Sequence, residues 1–190
     1  MGLQLIATGL GDLFPATCVA VAVTGWCWRR LGRLIAAVYA TCYVGAVGAT
    51  FILKLVSNAL APPQASASLF TLSDGAPSGH ATCAAMAYGG ATLLFLRVFK
   101  GLGAGLGALY GLAVIAVVGV TRLSLHTHTL ADVAAGLLVG SCFAALFDKA
   151  LRVQQPEAAP TAAFELMAVM IVVAAAALAT GVRISSTQFL

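Results

Sequence analysis

Six stretches of this chain, at about 6–28, 34–60, 79–99, 102–121, 130–147 and 162–181, are apolar almost throughout, and each is bounded by turn-forming or charged residues. A membrane-spanning helix needs about 20 mainly apolar residues, so six of them leave about 70 positions for connections and ends. A separate soluble domain has no room. With 61% hydrophobic and 8% charged residues and a mean hydropathy of +1.01, polar side chains are too few to coat a water-soluble globule of 190 residues. The sequence therefore predicts an all-α polytopic membrane protein, six transmembrane helices in a single bundle, forming one integral-membrane domain over residues 1–190. The first helix is broken near its start: Asp12 and Pro15 interrupt it, and Pro15 to Trp28 alone spans only about 21 Å of a ~30 Å hydrocarbon core. Asp12 is expected in the outer headgroup layer.

Charge sets the orientation. Ten Lys and Arg stand against six Asp and Glu, a formal +4, and the basic residues come in small groups between apolar runs. That pattern orients a membrane protein and does not suggest nucleic-acid binding. Arg29, Arg30, Arg33, Arg97, Lys100, Lys149 and Arg152 fall on one side, Lys54, Arg122 and Arg183 on the other. The first side is therefore expected in the cytoplasm, with both termini and the loops after helices two and four outside, in a bacterial inner or plasma membrane. Trp26 and Trp28, beside Arg29, suit an interfacial anchor.

Cys18, Cys27, Cys42, Cys83 and Cys142 lie in apolar runs without CxxC spacing and read as small buried hydrophobes, neither disulfides nor zinc ligands. The start, MGLQLIATGLGDLF, lacks the basic region of a secretory signal, and Ile6 stands where a myristoylation motif wants Ser or Thr. The first apolar segment is expected to be retained. Glycines four apart, among them Gly101 and Gly105, Gly107 and Gly111, and Gly136 and Gly140, suit close helix packing. The connection from Ala61 to Pro77 is long and polar, as functional loops often are, whereas 154–161 has the composition of a linker.

All three histidines, His80, His126 and His128, lie at the outer ends of predicted helices, together with Lys54 and Arg122. Singly, each has an ordinary reading: a lysine or arginine reaching the headgroups, an incidental helix-end histidine. Together, two fixed cations, the free N–H groups of a helix start at Ser78-Gly79-His80, and a histidine followed four residues on by an acid make a phosphate site with an attacking group. Placed on one helix face, Asp132 accepts the Nδ1–H of His128 and leaves Nε2 free to attack, while His80 protonates the departing oxygen.

Pro77-Ser78-Gly79-His80, followed by Arg122, His128 and Asp132 at the spacing R-x5-H-x3-D, resembles the second and third motifs of the type 2 phosphatidic acid phosphatase superfamily. The resemblance covers residues 54–132 together with the six-helix layout. It implies that Lys54 and Arg122 bind phosphate oxygens, that Ser78 and Gly79 add donors, that His128 is the nucleophile, Asp132 its orienting acid and His80 the general acid. It also implies a phosphohistidine intermediate and no metal or cofactor. Two positions depart from the family pattern. The first motif, K-x6-RP, has Ala61 where the arginine belongs, and no Lys or Arg between Ala61 and Pro77 replaces it; the third opens with Thr121 instead of serine.

The implied function is hydrolysis of a lipid phosphate monoester or diphosphate, such as phosphatidate, phosphatidylglycerol phosphate, a polyprenyl phosphate or a lipid A phosphate, at the extracytoplasmic face. The expected partners are that substrate and the surrounding membrane lipids, with the oligomeric state open. Two alternatives use the same residues: transfer of the phosphoryl group to a hydroxyl acceptor, and a binding or transport relative whose site weakened when Ala61 replaced arginine. Vanadate-binding haloperoxidases of the family are soluble, unlike a chain this apolar. His126 lies outside the motifs, either touching the headgroup or doing nothing. A metal set of His80, His126, His128 and Asp132 is the lesser reading, since the family explains three of the four. Asp74 reads as a turn residue, and Asp148, Glu157 and Glu165 as solvated or interfacial charges.

Overall fold

A computed structural model describes residues 9–60, 76–159 and 161–180. Among these residues it is all-helical: α1 (Leu13–Arg30), α2 (Arg33–Leu60), α3 (Gly79–Val98), α4 (Leu102–Ser124), α5 (Leu130–Gln154) and α6 (Thr161–Ala179). Five of them, α2 to α6, are long and apolar enough to cross a membrane by length and composition. The remaining helix, α1, has 18 residues and closes on Arg29 and Arg30, a length of about 27 Å.

Most helix boundaries fall close to the sequence expectation, and the exceptions have physical causes. α1 starts at Leu13, so Asp12 precedes the helix instead of interrupting it. Its end is closed by Gly32, whose φ of +103° suits glycine and whose N–H donates to the Cys27 carbonyl at 3.0 Å. α5 runs on to Gln154, past the expected end at 147. There Arg152, one turn after Asp148, donates from Nε to its Oδ2 at 2.7 Å, an i,i+4 pairing that favours helix.

α3 forms the centre, and every residue from Ala76 to Tyr88 is buried. It packs against α1, α2, α4 and α5, while α6 lies on α1 and α4. The approach of α5 to α3 depends on small residues. A Cβ on Gly140 would meet the Thr82 carbonyl at 2.6 Å, and one on Gly136 would run into the Ser78 carbonyl. Gly105, which the four-residue spacing also singled out, faces open space.

The expected wall of apolar side chains is present, with Val44 69%, Leu102 73% and Leu138 66% exposed. In water such a surface would aggregate, whereas lipid covers it at no cost. Cys142 belongs to this exposed set, a correction to its reading as buried, while Cys27, Cys42 and Cys83 are buried and Cys18 partly so. Trp26 is no interfacial anchor. Only 1% exposed, it packs on Phe99 at 5.7 Å between ring centroids. Trp28, by contrast, is exposed, with the Arg33 guanidinium 5.3 Å from its ring centroid.

The chain alternates direction from helix to helix, which gathers the starts of α1, α3 and α5 with the ends of α2 and α4. At the opposite end sit the basic groups. Arg97 Nε donates to Asp148 Oδ1 at 2.8 Å and Arg30 to Glu165 at 2.6 Å. Asp148 is buried and shared between Arg97 and Arg152, so of the two expected readings, solvated or interfacial, the solvated one does not hold.

Candidate active site

Three hydrogen bonds lock the motif-bearing segments together. The Ser57 hydroxyl donates to the Ala76 carbonyl at 2.7 Å, tying the end of α2 to the turn before α3. The Ser78 N–H donates to the Asp132 carbonyl at 3.0 Å, and one turn further the Thr82 hydroxyl donates to the Gly136 carbonyl at 3.1 Å. The starts of α3 and α5 are thereby fixed side by side. Ser78, immediately before α3, is fully buried, and its hydroxyl has no hydrogen-bond partner among the described residues. A buried hydroxyl left so costs free energy unless a ligand uses it.

Arg122 lies in the last turn of α4. The chain then folds back: Leu125 N–H donates to the Thr121 carbonyl at 3.0 Å and the Thr127 hydroxyl to the Arg122 carbonyl at 3.2 Å. His126 sits at the crest of this turn, exposed and with a φ of +53°. It stands apart from the buried groups, and among the described residues no three of His, Cys, Asp and Glu gather as a metal site.

His128 follows the turn and precedes α5, so it does not share a helix face with Asp132 as expected. The two still pair, because Asp132 is the third residue of α5 and reaches back. Its backbone N–H donates to the Thr129 hydroxyl at 3.1 Å, and its Oδ2 accepts the Thr129 N–H at 2.9 Å, a reciprocal capping box. The same Oδ2 lies 3.4 Å from His128 Nδ1, a long contact beside the ~2.7–2.9 Å of a charge-assisted bond. Asp132 is fully buried and the His128 side chain 6% exposed. Burial, then repulsion by Arg122 and Lys54, hold the His128 imidazole at a pKa of about 4, against the opposing pull of Asp132. At neutral pH this imidazole carries an unprotonated nitrogen, the nucleophilic form.

Lys54 is 1% exposed and faces the interior of the bundle, so it is not a lysine reaching the headgroups. With Gly79 and His80 it lines a cavity of about 380 Å³ whose remaining wall is Leu13, Val47, Thr50, Phe51 and Cys83. Lys54 and Arg122 both act electrostatically on His128, and Lys54 also on Asp132. The structure thus brings together Lys54, Ser78, Gly79, His80, Arg122, His128 and Asp132 at one end of the bundle. Ala61 and Asp74 lie outside the described residues.

The family model of the PAP2 superfamily matches residues 33–154, which is α2 through α5 and every one of those seven residues. The chain belongs to the PAP2 superfamily. Members are in general phosphatases, so the membership points to phosphatase-type chemistry. Neither the curated proteins nor the solved structures gave a match. The PAP2 stretch leaves out α1, yet the residue just before α1 adds a group to the site that the sequence motifs do not contain. Asp12 is buried, and its Oδ1 contacts His80 Nε2. Its signal was visible: an acid inside an apolar run marks a site by default.

Proposed function

We propose that this PAP2 protein is a membrane phosphatase that removes phosphate from a lipid phosphate monoester or diphosphate through a phosphohistidine, working at the extracytoplasmic face. The observation that carries the lipid reading is the cavity: Lys54, Gly79 and His80 stand in the same hollow as Leu13, Val47 and Phe51. A phosphate held by the polar end leaves its ester tail against the apolar wall, and Phe51 is itself 44% exposed. The headgroup enters while the tail stays in the bilayer. The face follows from the basic residues, which crowd the end of the bundle away from the site.

In the proposed reaction, Lys54, Arg122, the Ser78 hydroxyl and the N–H groups at the start of α3 bind the phosphoryl oxygens. Preplaced cations and donors meet the charge that spreads over those oxygens. His128 Nε2 attacks phosphorus, forming an N–P bond as the ester P–O bond breaks, and His80 gives a proton to the departing oxygen. Water then cleaves the N–P bond, releasing inorganic phosphate and returning the proton to His80. Asp132 holds His128 through Nδ1 so that Nε2 faces the phosphorus.

The test is phosphate release by the purified protein in detergent from a panel of lipid phosphates, with and without chelator. Release that survives chelation and disappears in His128→Ala supports the reading. Wild-type protein inert toward the whole panel contradicts it, and a labelled hydroxyl acceptor in place of free phosphate would identify transfer.

A further inference from the structure

The contact between Asp12 and His80 is the strongest polar feature of the site that the PAP2 motifs do not contain. Asp12 occupies the N-cap position of α1, where an aspartate ordinarily accepts an N–H of the first turn. It makes no such cap. Its carboxylate turns instead to His80 Nε2, with both side chains less than 10% exposed, at 9% and 7%. The backbone is shaped for this approach. A Cβ on Gly11 would stand 2.9 Å from the His80 carbonyl oxygen, 3.2 Å from the His80 Cβ and 2.6 Å from a methyl of Val118. Only glycine lets the segment before α1 lie flat against His80.

A buried carboxylate beside a phosphate pocket repels the substrate unless its charge is matched. Arg122, a fixed cation on which Asp12 acts electrostatically, supplies that match. The second imidazole of the site is also held by a carboxylate, His128 by Asp132, so each histidine of the reaction has its own carboxylate.

We propose that Asp12 is a positioning residue for the general acid: it holds His80 through Nε2, so that Nδ1–H faces the leaving oxygen. This rests on the phosphatase reading above. As the ester P–O bond breaks, the Nδ1 proton passes to the departing oxygen, and Asp12 keeps the neutral ring in place to take a proton from the attacking water. The carboxylate itself never touches the substrate. It comes from outside the matched stretch of residues 33–154, so α1 completes a site whose other parts lie in α2 to α5.

A general acid matters in proportion to how poor the leaving group is. The full-length protein in detergent is assayed on a long-chain alkyl phosphate, whose alkoxide needs a proton, and on p-nitrophenyl phosphate, whose phenolate departs without one. Asp12→Asn is expected to lower kcat/KM, which covers the steps through P–O cleavage and omits the hydrolysis common to both substrates, by about 10²-fold on the alkyl phosphate and by at least about tenfold more than on p-nitrophenyl phosphate. Asp12→Glu, which keeps the charge, is expected to recover part of the alkyl-phosphate rate. Equal losses of kcat/KM on the two substrates overturn the proposal, because a merely structural role does not distinguish leaving groups. If Asp12→Asn is not recovered folded, Asp12→Glu decides by the same ratio. A wild-type protein that cleaves neither substrate defeats the phosphatase reading, whereas an active wild type with unselective Asp12 variants defeats this inference alone.

Discussion

The Ser78 N–H donates to the main-chain carbonyl of Asp132 at 3.0 Å, joining the segment that carries His80 to the one that carries His128. Residues 54 positions apart in sequence thus share a backbone hydrogen bond, and the two histidines keep a fixed relation however their side chains move. Just beyond this bond, α3 and α5 run against each other with no room for a side chain at Gly136.

That crowding gives the first prediction. Gly136→Ala or Gly140→Ala forces α5 off α3, which should cost about 1–3 kcal/mol and lower activity with it. Gly105→Ala, where a Cβ meets nothing within 4 Å, should be neutral or stabilise by up to about 1 kcal/mol through helix propensity. Thermal unfolding in detergent checks all three. Equal effects at the three positions would contradict the packing account.

Asp132 both caps α5 and holds His128. Asp132→Asn should therefore lower kcat by about 10²-fold or more through the misplaced tautomer, and stability by about 1 kcal/mol through the weakened cap. Thr129→Ala removes one half of the capping box and leaves the carboxylate in place, so its loss should fall mainly on stability. Comparing kcat with the unfolding temperature for the two variants separates the roles.

Burial and the cations hold His128 at about 4, below the ordinary ~6.5 of histidine. A folded-state pKa below the unfolded one means that protonation opposes folding. The stability His128 contributes is then fully present above about pH 6.5 and is lost as the pH falls toward 4. The chain has three histidines, so imidazole nitrogen spectra of labelled protein, assigned with His80→Gln and His126→Gln, can follow each. His128 should remain neutral at pH 5.5, and a midpoint near 6.5 would contradict the buried, cation-flanked site.

Ala61 stands where the first motif has arginine. Restoring it with Ala61→Arg should tighten apparent substrate affinity more than it changes kcat, because a guanidinium binds ground-state and transition-state phosphate alike. A steady-state split of KM and kcat measures this. A rise in kcat alone would place that position in the chemical step.

The fold was legible because its physics is one-dimensional. Long apolar runs leave a chain in lipid little choice but helices, and α2, α3 and α4 begin within one residue of their expected starts. The site was legible wherever a local spacing encodes it, as with His128 and Asp132. What escaped depends on three-dimensional proximity. The contact of Asp12 with His80 escaped because nothing near Asp12 in sequence reveals that the start of α1 lies against α3. Trp26 looked like an anchor because its neighbour Arg29 is close in sequence, whereas its packing partner Phe99 is not. The burial of Asp148 escaped for the same reason, since Arg97 reaches it from another helix.

The central claim is that His128 takes the phosphoryl group, and trapping that group tests it most directly. Protein mixed with a ³²P-labelled lipid phosphate is quenched in alkaline detergent within the first turnover and digested. The account predicts label that survives base, is lost in acid, lies on the peptide containing His128, and is absent from His128→Ala. Label on another residue, or turnover that persists in His128→Ala, would contradict it.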